Sequence, residues 1–312
     1  MSNIHAKSNS GMRVALVTGA TGFIGSHLVR KLVQDGWQLH IVTRKDSLLP
    51  DSPEFSHVFN HVHDGTTEGM IRLVGDVKPN IAFHLASLFL SQHESKDVEQ
   101  LVMSNILFGC QLLEALKING VKCIINTGTS WQHYENQNYN PVNLYAATKQ
   151  AFEALMRYYI EVGDLKVITL MLFDTCGSND TRPKLMNLLE RVAEQNQPLE
   201  MSPGEQYIDI VHVDDVVRAY AMAAERLLTK NVIGHEHYAV SSGKTLQLRE
   251  LVKLVEHEIG KKLPINWGGR AYRDREVMVP WKGDSLPGWT TQIDITQAIR
   301  SIFAVQNSSS VQ

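Results

Sequence analysis

Residues 14–25 read VALVTGATGFIG and join an apolar run to a turn that contains three glycines. The run at 14–19 is short, rich in β-branched residues and closed by glycine, which predicts a buried strand. Residues 23–37 then carry apolar side chains at helical spacing, and Gly36 follows the last of them as a helix stop signal. The segment therefore predicts a strand, a tight turn and a helix in that order.

The glycines of this turn, Gly19, Gly22 and Gly25, recur every three residues. Gly19 would permit the tight turn, Gly22 would let the backbone approach a diphosphate, and Gly25 would let the helix pack closely on the sheet. The diphosphate would lie at the helix N-terminus, where free N–H groups and the helix dipole favour anions. The strand–turn–helix context favours a dinucleotide site over a purely structural turn.

Strands and helices alternate along the next part of the chain. This alternation predicts an α/β protein with a Rossmann-like doubly wound parallel sheet and a smaller C-terminal α/β substrate lobe. Further strands are expected at 39–43, 81–86, 123–128 and 166–173, with helices near 98–118 and 144–161. We expect a dinucleotide-binding domain at 12–174 to which 207–228 returns, a substrate lobe at 175–206 and 229–303, and flexible tails at 1–11 and 306–312.

Composition excludes several classes of protein. The chain has 312 residues, 43% of them hydrophobic and 20% charged, which are ordinary values for a globular protein. A formal net charge of −3 gives no reason to expect nucleic acid as a partner. No apolar run reaches the roughly 18 residues of a membrane-spanning helix, so we expect no membrane partner. The cysteines are few and widely spaced, which favours a cytoplasmic protein without a disulfide framework.

The second predicted strand ends at Thr43, Arg44 and Lys45. An NAD site commonly carries a carboxylate here to bind the ribose hydroxyls, and neither Thr43 nor Arg44 is acidic. The guanidinium of Arg44 could instead pair with a 2′-phosphate. The sequence therefore favours NADP(H), with NAD(H) bound through the ribose hydroxyls alone as the alternative.

Tyr145 and Lys149 are four residues apart at the start of a predicted helix, so they share one face. A tyrosine pKa near 10 suits proton transfer at neutral pH poorly, and a fixed ammonium beside the ring would lower it. We predict that Tyr145 exchanges a proton with a substrate oxygen while Lys149 lowers its pKa and holds the nicotinamide ribose. An ordinary surface pair is the alternative, which the preceding glycine turn and strands disfavour.

Several motifs together resemble extended short-chain dehydrogenases/reductases, of the NAD(P)-dependent sugar-nucleotide epimerase/dehydratase/reductase group. The resemblance covers about residues 12–303 and is closest to 4-ketoreductases of the CDP-abequose synthase type. It is carried by TGATGFIG at 18–25, KPNIAFHLAS at 78–87, SNILFGCQLLEAL at 104–116, YAATK at 145–149 and YIDIVHVDDVVRAY at 207–220.

The resemblance implies a role for each matching position. Thr129 would hold the substrate oxygen beside Tyr145 and Lys149, with Thr127 or Ser130 as alternatives. The cofactor would contact Gly19, Thr21, Gly22, Phe23, Ile24, Gly25, Arg44, Asp64, Leu85, Ala86, Ser87, Thr127, Tyr145, Lys149 and Phe173. The substrate would contact Thr129, Asp174, Arg270, Arg273 and Arg275, although surface salt bridges are the alternative for the arginines. No metal site is expected, because no further ligands complete the set His57, His61 and His63.

The activity that the resemblance implies is NADPH-dependent reduction of the C4 keto group of a nucleotide-linked 4-keto-6-deoxy sugar. An NAD-dependent nucleotide-sugar 4-epimerase and a non-catalytic NADP(H)-sensing binding protein are the alternatives. The implied partners are a nucleotide-diphosphate sugar and a second copy of the chain. Relatives commonly dimerise through the helices that correspond to 98–118 and 144–161.

Overall fold

A computed structural model describes residues 11–230 and 232–303 of this chain. Apart from Gly11, the predicted tails at 1–11 and 306–312 lie outside the described residues. The strands are β1 Val14–Thr18, β2 Gln38–Thr43, β3 Val58–Val62, β4 Ile81–His84, β5 Cys123–Thr129, β6 Lys166–Leu172, β7 Asp174–Cys176, β8 Leu199–Met201, β9 Tyr207–Ile208, β10 Ile210–His212, β11 His235–Val240, β12 Leu246–Gln247 and β13 Ile265–Trp267.

Helices connect most of these strands. The α-helices are α1 Phe23–Gln34, α2 Thr67–Val77, α3 Val98–Val102, α4 Phe108–Ile118, α5 Leu144–Gly163, α6 Leu185–Gln195, α7 Val213–Thr229, α8 Leu248–Ile259 and α9 Ile295–Phe303. A π-helical segment, Met103–Leu107, joins α3 to α4 without a break. Short 3₁₀ turns lie at Pro53–His57, Ser95–Asp97, Ser130–Gln132 and Tyr134–Asn136.

The central sheet has seven strands in the order β11-β6-β5-β4-β1-β2-β3. Each neighbouring pair runs parallel, so every connection crosses from one end of the sheet to the other. The order turns outward in both directions from β1, which makes the sheet doubly wound. The predicted α/β class and Rossmann-like sheet are confirmed.

Helices cover both faces of the sheet, which explains why its strands are continuous apolar runs rather than alternating ones. On one face α1 and α7 pack side by side, with Leu28 and Leu32 of α1 fully buried. On the other face α2, α4 and α5 pack together, with Leu112 and Phe152 buried. Burial of each such side chain stabilises the fold by about 1.5–3 kcal/mol.

The C-terminal part of the chain forms a smaller lobe around a separate apolar cluster from α6, α8 and α9. Our assignment of all of 229–303 to this lobe is wrong in one respect. Strand β11 pairs in parallel with β6 and is the seventh strand of the main sheet. Its first residues, His235, Glu236 and His237, are polar because this strand lies at the sheet edge, so its sequence lacks the apolar pattern of a buried strand.

One helical stretch of the described chain, Ser95–Ile118, is long and apolar enough in composition to cross a membrane. Its second half is α4, whose buried residues Leu112, Leu113, Ala115 and Leu116 pack beneath the sheet. The apolar character of this stretch is therefore that of a core helix.

The parallel sheet brings the carboxyl ends of its strands to one edge. The loops after β1, β4 and β6 begin at Gly19, Leu85 and Phe173, and β5 itself ends at Thr129. Carboxyl ends of parallel strands are where open α/β sheets bind ligands. The lobe lies beside this edge, so a cleft forms between it and the sheet.

Candidate active site

The glycine turn after β1 has the geometry that its sequence predicts. Gly19 has a φ of +73°, and a methyl group on it would lie 2.6 Å from the backbone nitrogen of Ala86. A methyl group on Gly25 would collide with the Gly19 carbonyl, so α1 can approach β1 this closely only without a side chain there. Gly22 is the N-cap of α1 and provides no side-chain hydrogen bond to the first turn. The free backbone N–H groups of the first turn of α1, together with the helix dipole, suit a dinucleotide diphosphate.

A cavity of about 200 Å³ lies over this turn. Most of the predicted cofactor residues line it, and their roles stay predictions. The members are Gly19, Gly22, Phe23, Ile24, Gly25, Leu85, Ser87, Thr127, Tyr145 and Phe173. The predicted residues outside its lining are Thr21, Arg44, Asp64, Ala86 and Lys149.

Two of those outer residues lie at neighbouring strand ends. Arg44 is exposed immediately after β2, and its backbone N–H donates to Ser47 Oγ at 3.1 Å. Since β2 is next to β1 in the sheet, the Arg44 side chain begins on the same edge as the glycine turn. Asp64, after β3, accepts hydrogen bonds from the backbone and hydroxyl of Thr66 at 2.9 and 2.7 Å and from Arg72 at 3.3 Å. Its carboxylate is therefore held by Thr66 of its own loop and by Arg72 of α2.

Tyr145 and Lys149 lie on the inner face of α5, where they are 8% and 2% exposed. Asn143 is the N-cap of this helix, and its side chain accepts from the N–H of Ala146 and so fixes the first turn. Burial raises the pKa of Tyr145 to about 12, against the effects of a hydrogen bond with Ser87 and the charge of Arg182.

The predicted lowering of the Tyr145 pKa by Lys149 is wrong for this arrangement. Lys149 is itself removed from water, and burial lowers its pKa to about 8, against the attraction of Glu153. Loss of hydration disfavours the charged form of both groups. Helical spacing places the two side chains on one face but does not reveal how deeply that face is buried.

Of the three candidate hydroxyls at the end of β5, that of Thr127 already has hydrogen-bond partners within the protein. Its Oγ1 donates to the His84 carbonyl at 2.8 Å and lies 2.6 Å from the Tyr220 hydroxyl. Thr129 Oγ1 accepts from the N–H of Trp131 at 3.3 Å, which leaves the Thr129 hydroxyl proton to donate elsewhere. Thr129 therefore suits the substrate oxygen better than Thr127 does, and Ser130 also lines the cleft.

A second cavity of about 610 Å³ extends from the sheet edge into the lobe. The predicted substrate arginines all line it: Arg270, Arg273 and Arg275, together with Asp174. The Arg275 guanidinium lies 4.3 Å from the Tyr134 ring centroid and donates to Asn140 Oδ1. Its Nε is buried without a hydrogen-bond partner.

Several residues of the cleft were missed by sequence reasoning. Arg182 binds Asp180 through two hydrogen bonds of 2.7 and 2.8 Å and stacks 4.5 Å from the Phe23 ring centroid. Trp281 stacks on His133, with 4.2 Å between ring centroids. The others are Phe89, Trp131 and Lys184. A basic and aromatic bias in the loops was the only signal that could have found them.

Asn105 braces the cleft from the π-helical segment. Its side chain accepts from the N–H of Leu88 at 2.7 Å, donates to the Leu88 carbonyl at 3.0 Å and donates to Thr148 Oγ1 at 2.9 Å. These bonds tie the loop after β4, which carries Ser87, to the helix that carries Tyr145. Asn105 therefore positions the site without facing its ligands.

Within the described chain, one group of side chains has ligand types that suit a metal: Glu153, His235 and His237. Two of its contacts are hydrogen bonds inside the protein. His237 Nε2 lies 2.9 Å from Glu153 Oε2, and His235 Nε2 lies 2.7 Å from Thr169 Oγ1. We therefore interpret the group as a hydrogen-bonded cluster.

Comparison with known proteins agrees with this geometry. The model of the NAD dependent epimerase/dehydratase family matches residues 15–239. CDP-abequose synthase of Salmonella muenchen is 25% identical over 93% of this chain and 97% of that protein. UDP-glucose 4-epimerase 2 of Oryza sativa subsp. japonica is 26% identical over 93% of this chain and 81% of that protein. The solved structure of MoeE5 in complex with UDP-glucuronic acid and NAD superposes with a TM-score of 0.83 at 25% identity, covering 96% of this chain and 100% of that one.

Proposed function

We propose that this chain, which belongs to the NAD dependent epimerase/dehydratase family, uses NADPH to reduce the C4 keto group of a nucleotide-linked 4-keto-6-deoxy sugar. A nicotinamide cofactor is typical of the family, and the glycine turn, with its open helix N-terminus, fits a dinucleotide. The finer choice among the family's reactions depends on the residues around the cofactor and on the cleft.

The proposal depends most on the residues at the end of β2, which bear on the choice between NADPH and NADH. Thr43 and Arg44 offer no carboxylate to a ribose, while the exposed Arg44 guanidinium suits a 2′-phosphate. A cofactor used for net reduction in biosynthesis is most often NADPH. An epimerase returns its cofactor unchanged at the end of each cycle and has no need of that preference.

The state of Tyr145 suits the proton that such a reduction requires. Bound NADPH would supply a hydride to the C4 carbon, and the carbonyl oxygen would then need a proton. With a pKa raised to about 12, Tyr145 is neutral at pH 7 and holds the proton to be given. An alkoxide takes that proton readily, since water, a comparable O–H acid, has a pKa of about 15.7. The C=O bond becomes CH–OH, and the tyrosine regains its proton from solvent.

Thr129 would stabilise the oxygen as its charge develops. Its hydroxyl proton is free to donate, because its oxygen already accepts from Trp131. A donor fixed before the reaction binds the alkoxide more strongly than the ketone, which is the condition for catalysis. The arginines of the larger cavity, Arg273 and Arg275 above all, would hold the nucleotide diphosphate.

The relatives point to the same class of substrate and to one competing reaction. The similarity to CDP-abequose synthase supports reduction of a nucleotide-linked deoxy sugar. The similarity to a UDP-glucose 4-epimerase supports the second candidate, an NAD-dependent 4-epimerase. A non-catalytic NADP(H) sensor is less well supported, because both Tyr145 and Lys149 are retained on the buried face of α5.

We also propose that the chain acts as a homodimer in the cytoplasm. The outer faces of the helices near 98–118 and 144–163 carry exposed apolar side chains that a second copy would cover: Val102, Met103, Leu107, Leu155 and Tyr158. The three cysteines are unpaired, as a reducing compartment allows. Light scattering of the purified protein tests the dimer.

The test of function is a panel of nucleotide-linked 4-keto-6-deoxy sugars with CDP, UDP or dTDP as the carrier. Each is mixed with NADPH or NADH, and loss of reduced nicotinamide is followed by absorbance. The proposal expects stoichiometric oxidation of NADPH with at least one member. Conversion of a nucleotide hexose to its C4 epimer without net cofactor change would establish the epimerase instead.

A further inference from the structure

The ammonium group of Lys184 lies where the two cavities of the cleft meet. Lys184 is the N-cap of α6, and its side chain lines both the cofactor cavity and the larger substrate cavity. Only 22% of that side chain is exposed. A cation in this position faces whatever group passes from the larger cavity toward the nicotinamide.

Aromatic rings surround this ammonium on its protein side. Its Nζ lies 3.7 Å from the Phe89 ring centroid and 5.5 Å from that of Trp131. The Phe89 ring in turn meets Tyr145 edge-on, with 5.0 Å between centroids. A single ring therefore separates the ammonium of Lys184 from the phenol that would serve the reacting carbon.

The contacts that the structure gives this ammonium include no close hydrogen-bond acceptor. The paired carboxylate, Asp174, lies 3.7 Å from Nζ, which is an ion-pair distance too long for a hydrogen bond. Ring faces attract a cation but accept its N–H groups weakly. Burial lowers the pKa of Lys184, the charges of Arg182 and Arg273 lower it further, and Asp174 and Asp180 oppose them. An oxygen from the ligand would complete its hydrogen bonds.

We propose that Lys184 recognises the sugar of the substrate, by donating a hydrogen bond to a sugar oxygen at or next to the carbon that Tyr145 serves. Phe89 and Trp131 would pack against the apolar face of the same ring. Lys184 is thereby a specificity residue for the sugar, distinct from the lobe arginines that face the diphosphate. The inference rests on the proposed function, because it assumes a nucleotide-linked sugar in the larger cavity.

The position of Lys184 favours the sugar over the nucleotide. Phe173, at the end of β6, lines both cavities as Lys184 does, and Tyr145 is in contact with the ring on which the ammonium stacks. Arg270 and Arg275 line only the larger cavity. A ligand that spans from those arginines to Tyr145 would present its sugar, the reacting part, to Lys184.

The test compares binding of matched probe pairs by calorimetry in the presence of NADPH. The pairs are CDP with CDP-glucose, UDP with UDP-glucose, and dTDP with dTDP-glucose, none of which offers a ketone for reduction. Lys184→Met is expected to weaken binding of the sugar nucleotide by about 10- to 100-fold, the range of a hydrogen bond to a charged group. Binding of the matched diphosphate should change less than about 2-fold, because no contact to it is lost.

Two further variants make the outcome decisive. Lys262→Met makes the same substitution at an exposed lysine of the lobe and should leave both affinities unchanged. Lys184→Gln keeps an uncharged hydrogen-bond donor and should lose less sugar-nucleotide affinity than Lys184→Met. If the methionine variant fails to fold, the glutamine variant still tests the contact. Retention of the full preference for the sugar nucleotide in both Lys184 variants would overturn the inference alone. Failure of the unaltered protein to bind any probe would overturn the proposed function and the inference with it.

Discussion

Tyr145 and Lys149 lie one helical turn apart on the buried face of α5, and burial moves their pKa values in opposite directions, to about 12 and about 8. The phenol therefore keeps its proton at neutral pH, and the ammonium is close to losing one. The phenol thus holds a proton to give, and the titration of Lys149 sets the pH range in which the reduction should work.

The first prediction concerns pH. Because the lowered pKa of Lys149 is about 8, the ammonium is mostly charged at lower pH, and its charge is lost as the pH rises through that value. If the charge assists proton transfer and holds the ribose, the rate of reduction should fall above about pH 8. Rates measured from about one unit below to two units above that value test this.

Lys149→Met is the matching variant for that profile. It should lower kcat on the order of 100-fold and remove the decline near pH 8. A decline of the same shape in the methionine variant would assign it to another group.

The second prediction concerns cofactor choice. Arg44→Ala should weaken NADPH binding about 10-fold, because a charged hydrogen bond to the 2′-phosphate is lost. NADH has no such phosphate, and its affinity should stay unchanged. Lys45→Ala, one residue further along the same exposed loop, is the control. Equal losses for both cofactors in Arg44→Ala would argue against the phosphate contact.

The third prediction separates two reasons for a glycine: a positive φ, and a lack of space for a side chain. Gly19 and Gly36 both have positive φ, +73° and +79°, but only Gly19 has backbone atoms where a methyl group would lie. Gly36→Ala should cost about 1–2 kcal/mol of unfolding free energy and leave NADPH affinity intact. Gly19→Ala should cost more and weaken NADPH binding at least about 10-fold, because the loop after β4 must move. Denaturant unfolding and fluorescence titration measure the two effects.

The fourth prediction concerns the diphosphate. Arg275 lines the larger cavity, and its Nε is buried without a hydrogen-bond partner. Arg275→Ala should weaken binding of CDP, UDP or dTDP by about 10-fold or more. Arg191→Ala, at an exposed position of α6, should have no effect. Unchanged diphosphate affinity in Arg275→Ala would place the phosphates elsewhere.

The sheet and the glycine turn were predictable because local patterns specify them. Residues 14–25 contain the strand, the turn and the helix start within one short segment, and each glycine meets a steric demand that the structure contains. Strand β11 was assigned to the wrong unit because an edge strand tolerates polar residues such as His235 and Glu236. Its place depends on pairing with β6, which no local pattern reveals.

The cleft was less predictable than the sheet. Lys184 and Arg182 come from the loop before α6, and they contact Phe89 and Phe23, which lie far from them in the sequence. The pKa of Tyr145 depends on how much water its neighbours exclude, which spacing along a helix cannot show. Thr127 and Thr129 look equivalent in sequence until Tyr220, far along the chain, is seen bound to the first.

The proposed reduction depends on the proton that Tyr145 gives. Tyr145→Phe removes that hydroxyl and leaves the ring that packs on Phe89. With the keto sugar that the panel identifies, single-turnover oxidation of NADPH should slow by about 100- to 10,000-fold, while NADPH affinity changes less than about 2-fold. A phenylalanine variant that reduces the ketone at a rate close to the unaltered protein's would show that Tyr145 is not the proton donor.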